Sequence, residues 1–456
     1  MSAFYVGAAR NGGTASAYEI PAHHFVTHGV VVGMTGSGKT GFLTVMVEEA
    51  LRNQIPVLMI DVKGDLPNLL LTLPAFTAEE MAPWVEPSAS ATPEQTMAMA
   101  AEKVECRRKS LADWGISQRG VQKFKEQIAV RVITPGSSAG ELLHVLSSIE
   151  RRSPRWDDDP ESARATLSAA ISLVLRLVGR EADPAKSREH VLLAVLAERR
   201  LLAGQPADIA ALLEDLELPP FDRIGALPME RFMTKKARRD LAAALNSLLA
   251  SPTFASWRQG ATLDVGEWLK PNNGRTSATI VSVAHLDDDE RALVLGVLLE
   301  EVLSYVRGLP GSQSLRALVV FDEVYGFLPP HPAAPPTKKP LVALMKQARA
   351  FGVGVVIATQ NPMDLDYRAL SNAGLWCIGR LQTDADRARV VEGMKLANGH
   401  EDVDYDAMLR QLPPRWFLVR DAHAKGPPRC VQPRWAITLM RGPMTRQEIR
   451  RARAAA

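Results

Sequence analysis

Two short stretches of this 456-residue chain carry residue types whose order suits phosphate chemistry. The first is Gly33-Met34-Thr35-Gly36-Ser37-Gly38-Lys39-Thr40, followed by Gly41, and it fits G-x-x-x-x-G-K-[ST]. Glycines let the backbone turn so that its N–H groups face phosphate oxygens. A helix starting there adds the positive end of its dipole. Lys39 would supply a mobile cation to the β- and γ-phosphates, and the Thr40 hydroxyl a ligand to Mg²⁺. The second stretch, 317–323, is an apolar run ending in the adjacent acids Asp322 and Glu323. Asp322 suits the Mg²⁺ shell, directly or through water, and Glu323 suits orienting or deprotonating an attacking water. Each stretch alone has a plainer reading, a glycine-rich turn or a strand ending in a solvated acidic turn. Together they point to a site for ATP and Mg²⁺, with Gly33, Thr35, Gly36, Ser37, Gly38, Lys39, Thr40 and Gly41 around the nucleotide.

Three further stretches are weaker. Thr359-Gln360-Asn361-Pro362 follows an apolar run, so Gln360 either senses a γ-phosphate or forms a turn. Asp61-Val62-Lys63-Gly64-Asp65 follows another; a charged loop with Asp65 capping a helix is the plainer reading, and a second wall of the crevice the sharper one. Arg380 follows the run 375–378 and Gly379. It is one of four candidates, with Arg368, Arg387 and Arg389, for an arginine that stabilises phosphoryl-transfer charge across a subunit boundary, an effect of about 10³–10⁵ in rate.

The elements needed to position these residues are legible. Short β-branched runs at 29–33, 56–60, 130–134, 279–283, 317–321 and 353–358 read as buried strands. Further strands are expected at 375–378 and 416–419. Apolar residues at helical spacing mark helices at 40–53, 288–306 and 339–350, and Asp159-Pro160 opens another. Asp287, Asp288, Asp289 and Glu290 favour a helix start by its dipole. Alternation of this kind predicts an α/β fold, a mainly parallel sheet covered on both faces, with an all-helical insertion. The expected division is a short lead-in of one or two strands (1–28), the first part of the core (29–76), a helical piece (77–128), a core strand (129–149), a second helical piece (150–275), the rest of the core (276–440) and a basic tail, a frayed helix (441–456).

Composition narrows the partners. A hydrophobic fraction of 46% with 23% charged residues suits a soluble globular protein. The net charge of +3 means that nucleic-acid contact would need a local patch or a ring that pools patches. Arg107-Arg108-Lys109, Lys235-Lys236-Ala237-Arg238-Arg239 and Arg446 with Arg450, Arg451 and Arg453 are candidates, each otherwise a solvated helix face. Cys106, Cys377 and Cys430 form no CxxC pair and no zinc spacing, as expected in a reducing cytoplasm. His23, His24 and His28 run straight into a strand rather than forming a metal set. There is no signal-peptide layout and no apolar run near the ~20 residues that span a bilayer, so a cytoplasmic, membrane-free protein is expected.

The ordered set GMTGSGKT, DVKGD, VVFDE, IATQNP and WCIGRL resembles the HerA/FtsK superfamily of ring-forming P-loop ATPases, most closely its helicase-type HerA-like bacterial members. The likeness covers residues 28–440 and implies a RecA-like core. It also implies that Gln360 is the γ-phosphate sensor and that Arg380 reaches a neighbouring subunit's nucleotide. Asp61, Lys63, Gly64 and Asp65 match the family's D-x-[HK]-G-[DE] block, which favours a site role for that loop. A homo-oligomer, in this family a hexamer, is expected to thread double-stranded DNA without sequence specificity, with a nuclease as a possible partner. The 28 residues ahead of the first core strand are too few for the β-barrel of HerA proper, so contacts made through that barrel are not expected. The alternatives are a motor for protein or conjugative secretion, or a nucleotide-gated regulatory scaffold.

Overall fold

A computed structural model describes residues 2–455 except 12–13, 87–90, 151, 154, 371–372, 397–403 and 425. In chain order the strands are β1 (Ala3–Asn11), β2 (Thr14–Pro21), β3 (Gly29–Val32), β4 (Val57–Asp61), β5 (Ile128–Ile133), β6 (Leu143–His144), β7 (Arg223–Ile224), β8 (Leu227–Pro228), β9 (Ala261–Thr262), β10 (Thr276–Ser282), β11 (Ser312–Asp322), β12 (Phe351–Thr359), β13 (Leu375–Ile378), β14 (Phe417–Asp421) and β15 (Arg429–Pro433). Eleven of them form one sheet, in the order β2-β1-β15-β14-β13-β3-β12-β11-β4-β10-β5. Every pairing from β5 to β13 is parallel, and every pairing from β13 to β2 is antiparallel.

The central parallel strands are apolar over their buried lengths, short of their carboxyl tips, because both of their faces are covered. In β4, Leu58 and Ile60 face one hydrophobic cluster, and Val57 and Met59 the other. Helices Lys39–Arg52, Pro93–Ala112 and Gln118–Gln127 contribute to the second cluster. Helices Pro160–Leu177, Arg188–Leu202, Asp288–Arg307 and Lys338–Gln347 contribute to the first. The two helical pieces therefore coat opposite faces of the sheet and share its core.

The lead-in, read as one or two strands, supplies β1 and β2, which extend the sheet through the β1–β15 pairing. One reading changes. The C-terminal tail is a docked helix, Arg446–Ala455, with Ile449 and Ala452 buried. Thr445 and Glu448 cap it reciprocally, Glu448 N–H to Thr445 Oγ1 at 3.3 Å and Thr445 N–H to Glu448 Oε2 at 2.8 Å. That cap and the buried stripe hold a segment whose arginine content suggested fraying.

Register fixes what the sheet presents at its carboxyl edge. Asp322 pairs with Asp61, and Val32 lies between Thr359 and Ile378. The tips of β4, β11, β12, β3 and β13 thus lie side by side.

Candidate nucleotide-binding site

The glycine-rich loop leaves β3 and enters helix Lys39–Arg52. Gly36 and Gly38 have φ of 78° and 91°, a region that only glycine enters cheaply. At Gly33 an added Cβ would lie 2.4 Å from Ser37 Oγ. The loop hangs between two neighbouring strand tips. Gly33 N–H donates to Thr359 O at 3.2 Å, and Met34 N–H to Arg380 O at 2.9 Å. Thr35 Oγ1 donates to the Gln360 side-chain oxygen at 3.0 Å. Thr40 and Gly41 lie in the first helical turn, and a side chain at Gly41 would meet open space.

Lys39 is buried, with Nζ 3.0 Å from Glu323 Oε2 and 3.8 Å from Asp322 Oδ1. Neither carboxylate oxygen of the fully buried Asp322 has a hydrogen-bond partner, and Ser37 Oγ has none. An unsatisfied buried carboxylate is costly, and burial pushes the Asp322 carboxyl above its ordinary range against the pull of Lys39. Oxygen donors of this kind suit Mg²⁺, so Asp322 fits that ion, and the Thr40 hydroxyl, next to Lys39 in the first helical turn, is of the same donor type.

Glu323 is nearly buried and occupies a left-handed backbone conformation, φ 61°. Its Oε1 accepts Thr359 Oγ1–H at 3.1 Å and Gln360 N–H at 3.0 Å. Its Oε2 accepts Lys39 and, at 2.6 Å, Lys63. Burial alone would raise this carboxyl; the two lysines and the Gln360 amide more than offset it and hold it below the usual range.

The loop after β4 divides its labour. Asp61 is fully buried and accepts Gly64 N–H at 2.9 Å, Leu66 N–H at 3.4 Å and Ser282 Oγ–H at 2.6 Å. Burial pushes its carboxyl up to about 7, with the Ser282 bond opposing. Asp61 therefore shapes the loop, and Lys63 is the side chain that reaches Glu323. Asp65 precedes the turn Leu66–Leu70 but makes no side-chain cap; burial raises its carboxyl, and the charges of Lys63 and Lys39 pull it down.

The four arginine candidates separate. Arg387 pairs with Asp384 and Asp406, and Arg389 with Glu392. The Arg368 side chain lies outside the described residues. Arg380 is exposed; its main chain holds the phosphate loop, and its guanidinium makes no ion pair among the described residues.

Sequence reasoning missed an apolar cavity of about 630 Å³ beside the loop, walled by Gly38, Thr40, Arg415, Trp435, Thr438 and Met440. The Arg415 guanidinium stacks 3.3 Å over the Trp435 ring, which is 44% exposed. A Cβ on Gly38 would come within 3.2 Å of Arg415 Cγ. An arginine-flanked tryptophan is the one signal in the sequence, and it has no fixed spacing from the loop.

The family described as helicase HerA-like C-terminal matches residues 11–102. VirB4 of Thermoanaerobacter pseudethanolicus aligns at 13% identity over 95% of this chain and 96% of its own, with a TM-score of 0.53. The bacterial conjugative coupling protein TrwBdeltaN70 aligns at 13% identity over 97% and 91%, with a TM-score of 0.50. No curated protein matches the sequence. The matched segment spans the phosphate loop and the Asp61 loop, and the two solved structures share the fold of this chain along nearly its whole length.

Proposed function

We propose that this chain is the subunit of a ring, a hexamer, that hydrolyses ATP to move double-stranded DNA without sequence specificity. The observation that carries the ATPase reading is the meeting of Lys39, Asp322 and Glu323 within 3.8 Å. Thr40 and Asp322 would hold Mg²⁺, which supplies charge neutralisation at the β- and γ-phosphates. Lys39 exchanges Glu323 Oε2 for phosphate oxygens. Glu323 keeps its orientation through Thr359 and the Gln360 N–H and takes the proton of the attacking water. The Gln360 side chain, tied to Thr35 of the loop, reports the γ-phosphate. The purine lies in the cavity against Trp435. Arg380 completes the site of a neighbouring subunit.

Glu323→Gln should bind ATP as tightly as the wild type and lose turnover by about 10²-fold or more, the ordinary range for a positioned base. Undiminished hydrolysis by that variant would remove Glu323 from the mechanism. The neighbour TrwB is described as a conjugative coupling protein, which supports a second reading, a motor of conjugative or protein secretion. Duplex DNA should stimulate the ATPase, with strong salt dependence, under the first reading only.

A further inference from the structure

The three basic clusters suggested by the sequence are largely committed elsewhere. Arg107 turns inward to the Ile437 carbonyl. Arg238 is buried against the Met233 and Leu216 carbonyls and Glu230. In the tail helix, Arg450 and Arg451 bond Ser138 and the Pro83 carbonyl. A different basic surface exists at the amino edge of the parallel strands, away from the nucleotide site.

There, a concavity of about 880 Å³ is lined by His23, His423, Lys346 and Arg349, together with Ser312 and Gln313. All four basic side chains are exposed. They come from separate elements: the turn Ala22–Thr27, the segment after β14, helix Lys338–Gln347 and the short turn Ala348–Ala350 that leads into β12. Lys346 and Arg349 make no ion pair among the described residues. Asp421, two residues before His423, is taken up by His24 Nδ1 at 2.6 Å and by the His423 N–H at 2.9 Å. No acidic side chain lines the cavity.

Cations at a helix C-terminus complement its dipole, which accounts for Lys346 and Arg349 taken alone. It does not account for two imidazoles converging on them from other elements, nor for the missing acids. Positive charge without counter-charge attracts phosphate. The cavity has no Trp, Tyr or Phe on which a base could stack. Main-chain and hydroxyl donors beside cations are the usual partners of backbone phosphates, which position a duplex without reading it.

We propose that this concavity binds the phosphate backbone of duplex DNA and is one of the surfaces by which the motor holds its track. The proposal rests on the DNA reading given above. Its test is the double variant Lys346→Ala/Arg349→Ala, measured by fluorescence anisotropy of a labelled duplex across a salt series, with ATP affinity and DNA-free hydrolysis as controls. Each phosphate contact contributes about 0.9 to the slope of log K against log salt. The variant should bind more weakly and show a shallower slope, by up to about two such contacts, while both controls stay unchanged. The charge-preserving variant Lys346→Arg/Arg349→Lys should keep wild-type binding. Wild-type affinity and slope in the alanine variant would overturn the proposal and leave the DNA reading standing. A wild-type protein that binds no duplex at any salt would overturn both.

Discussion

At Asp322 the chain keeps a buried carboxylate that accepts no hydrogen bond and has only Lys39, 3.8 Å away, as an ion-pair partner among the described residues. Burial favours its protonated form, so by linkage the group's contribution to stability falls as pH rises from the ordinary carboxylate range through its raised value. Asp322→Asn removes that penalty and the ligand together. The nucleotide-free variant should melt higher than the wild type at neutral pH and show a shallower decline between acid and neutral, the remainder coming from buried carboxyls such as Asp61. Mg²⁺ should no longer tighten its hold on ATP. Losing even an outer partner of a metal ligand costs about 10–100-fold in metal affinity, so a loss at least that large is expected in ATP titrations with Mg²⁺ and with a chelator. A variant that melts lower and still responds to Mg²⁺ would show that Asp322 is structural. Lys39, Asp322 and Glu323 were legible because phosphate chemistry fixes their spacing from glycines and strand ends. Trp435 and Arg415 were not, because packing against a loop nearly 400 positions earlier leaves no mark in either segment. Asp65 read as a helix cap by its local context, but its side chain makes no cap on the turn Leu66–Leu70.

Among the elements, the segment after β15 matters most for the site. Arg434 is fully buried and bonds Glu48 Oε2 at 2.8 Å and Glu49 Oε1 at 2.9 Å, both on the helix that begins at the phosphate loop. Glu48 also accepts Ile437 N–H at 2.9 Å and Thr438 N–H at 2.8 Å. This clasp holds the wall that carries Trp435 and Thr438. Breaking a buried ion pair from one side costs about 3–5 kcal/mol. Arg434→Ala should lose that much in denaturant unfolding and bind ATP less tightly, since its cavity wall is no longer fixed. The opposite wall offers an independent check. Cys106 is an exposed free thiol on helix Pro93–Ala112 and lines the same cavity. Its reaction with a maleimide should slow when ATP is present; an unchanged rate would place the base elsewhere. The core strands were legible from their apolar runs. β15 was not, since Arg429–Pro433 is a short partly exposed strand ending in proline; the tail read as a frayed helix, and its docking, through buried Ile449 and Ala452, did not show.

For the whole molecule, the decisive feature is a guanidinium that makes no ion pair among the described residues. Arg380 lends its carbonyl to its own phosphate loop and leaves its side chain exposed. If it acts across a subunit boundary, each active centre needs Glu323 from one protomer and Arg380 from the next. Arg380→Ala and Glu323→Gln should then each be inactive alone. Mixed before assembly, they should recover turnover, because some interfaces pair an intact Glu323 with an intact Arg380. In a head-to-tail ring assembled at random from equal amounts, about one interface in four has that composition. Recovery should peak near equal mixing and vanish at either extreme. An arginine acting on its own chain's nucleotide permits no recovery at any ratio, because every protomer lacks one of the two groups. The same mixtures report on assembly. If each variant binds ATP and the mixture still stays inactive at concentrations where the wild type turns over, Arg380 does not act between subunits, and the ring mechanism loses its only named contact.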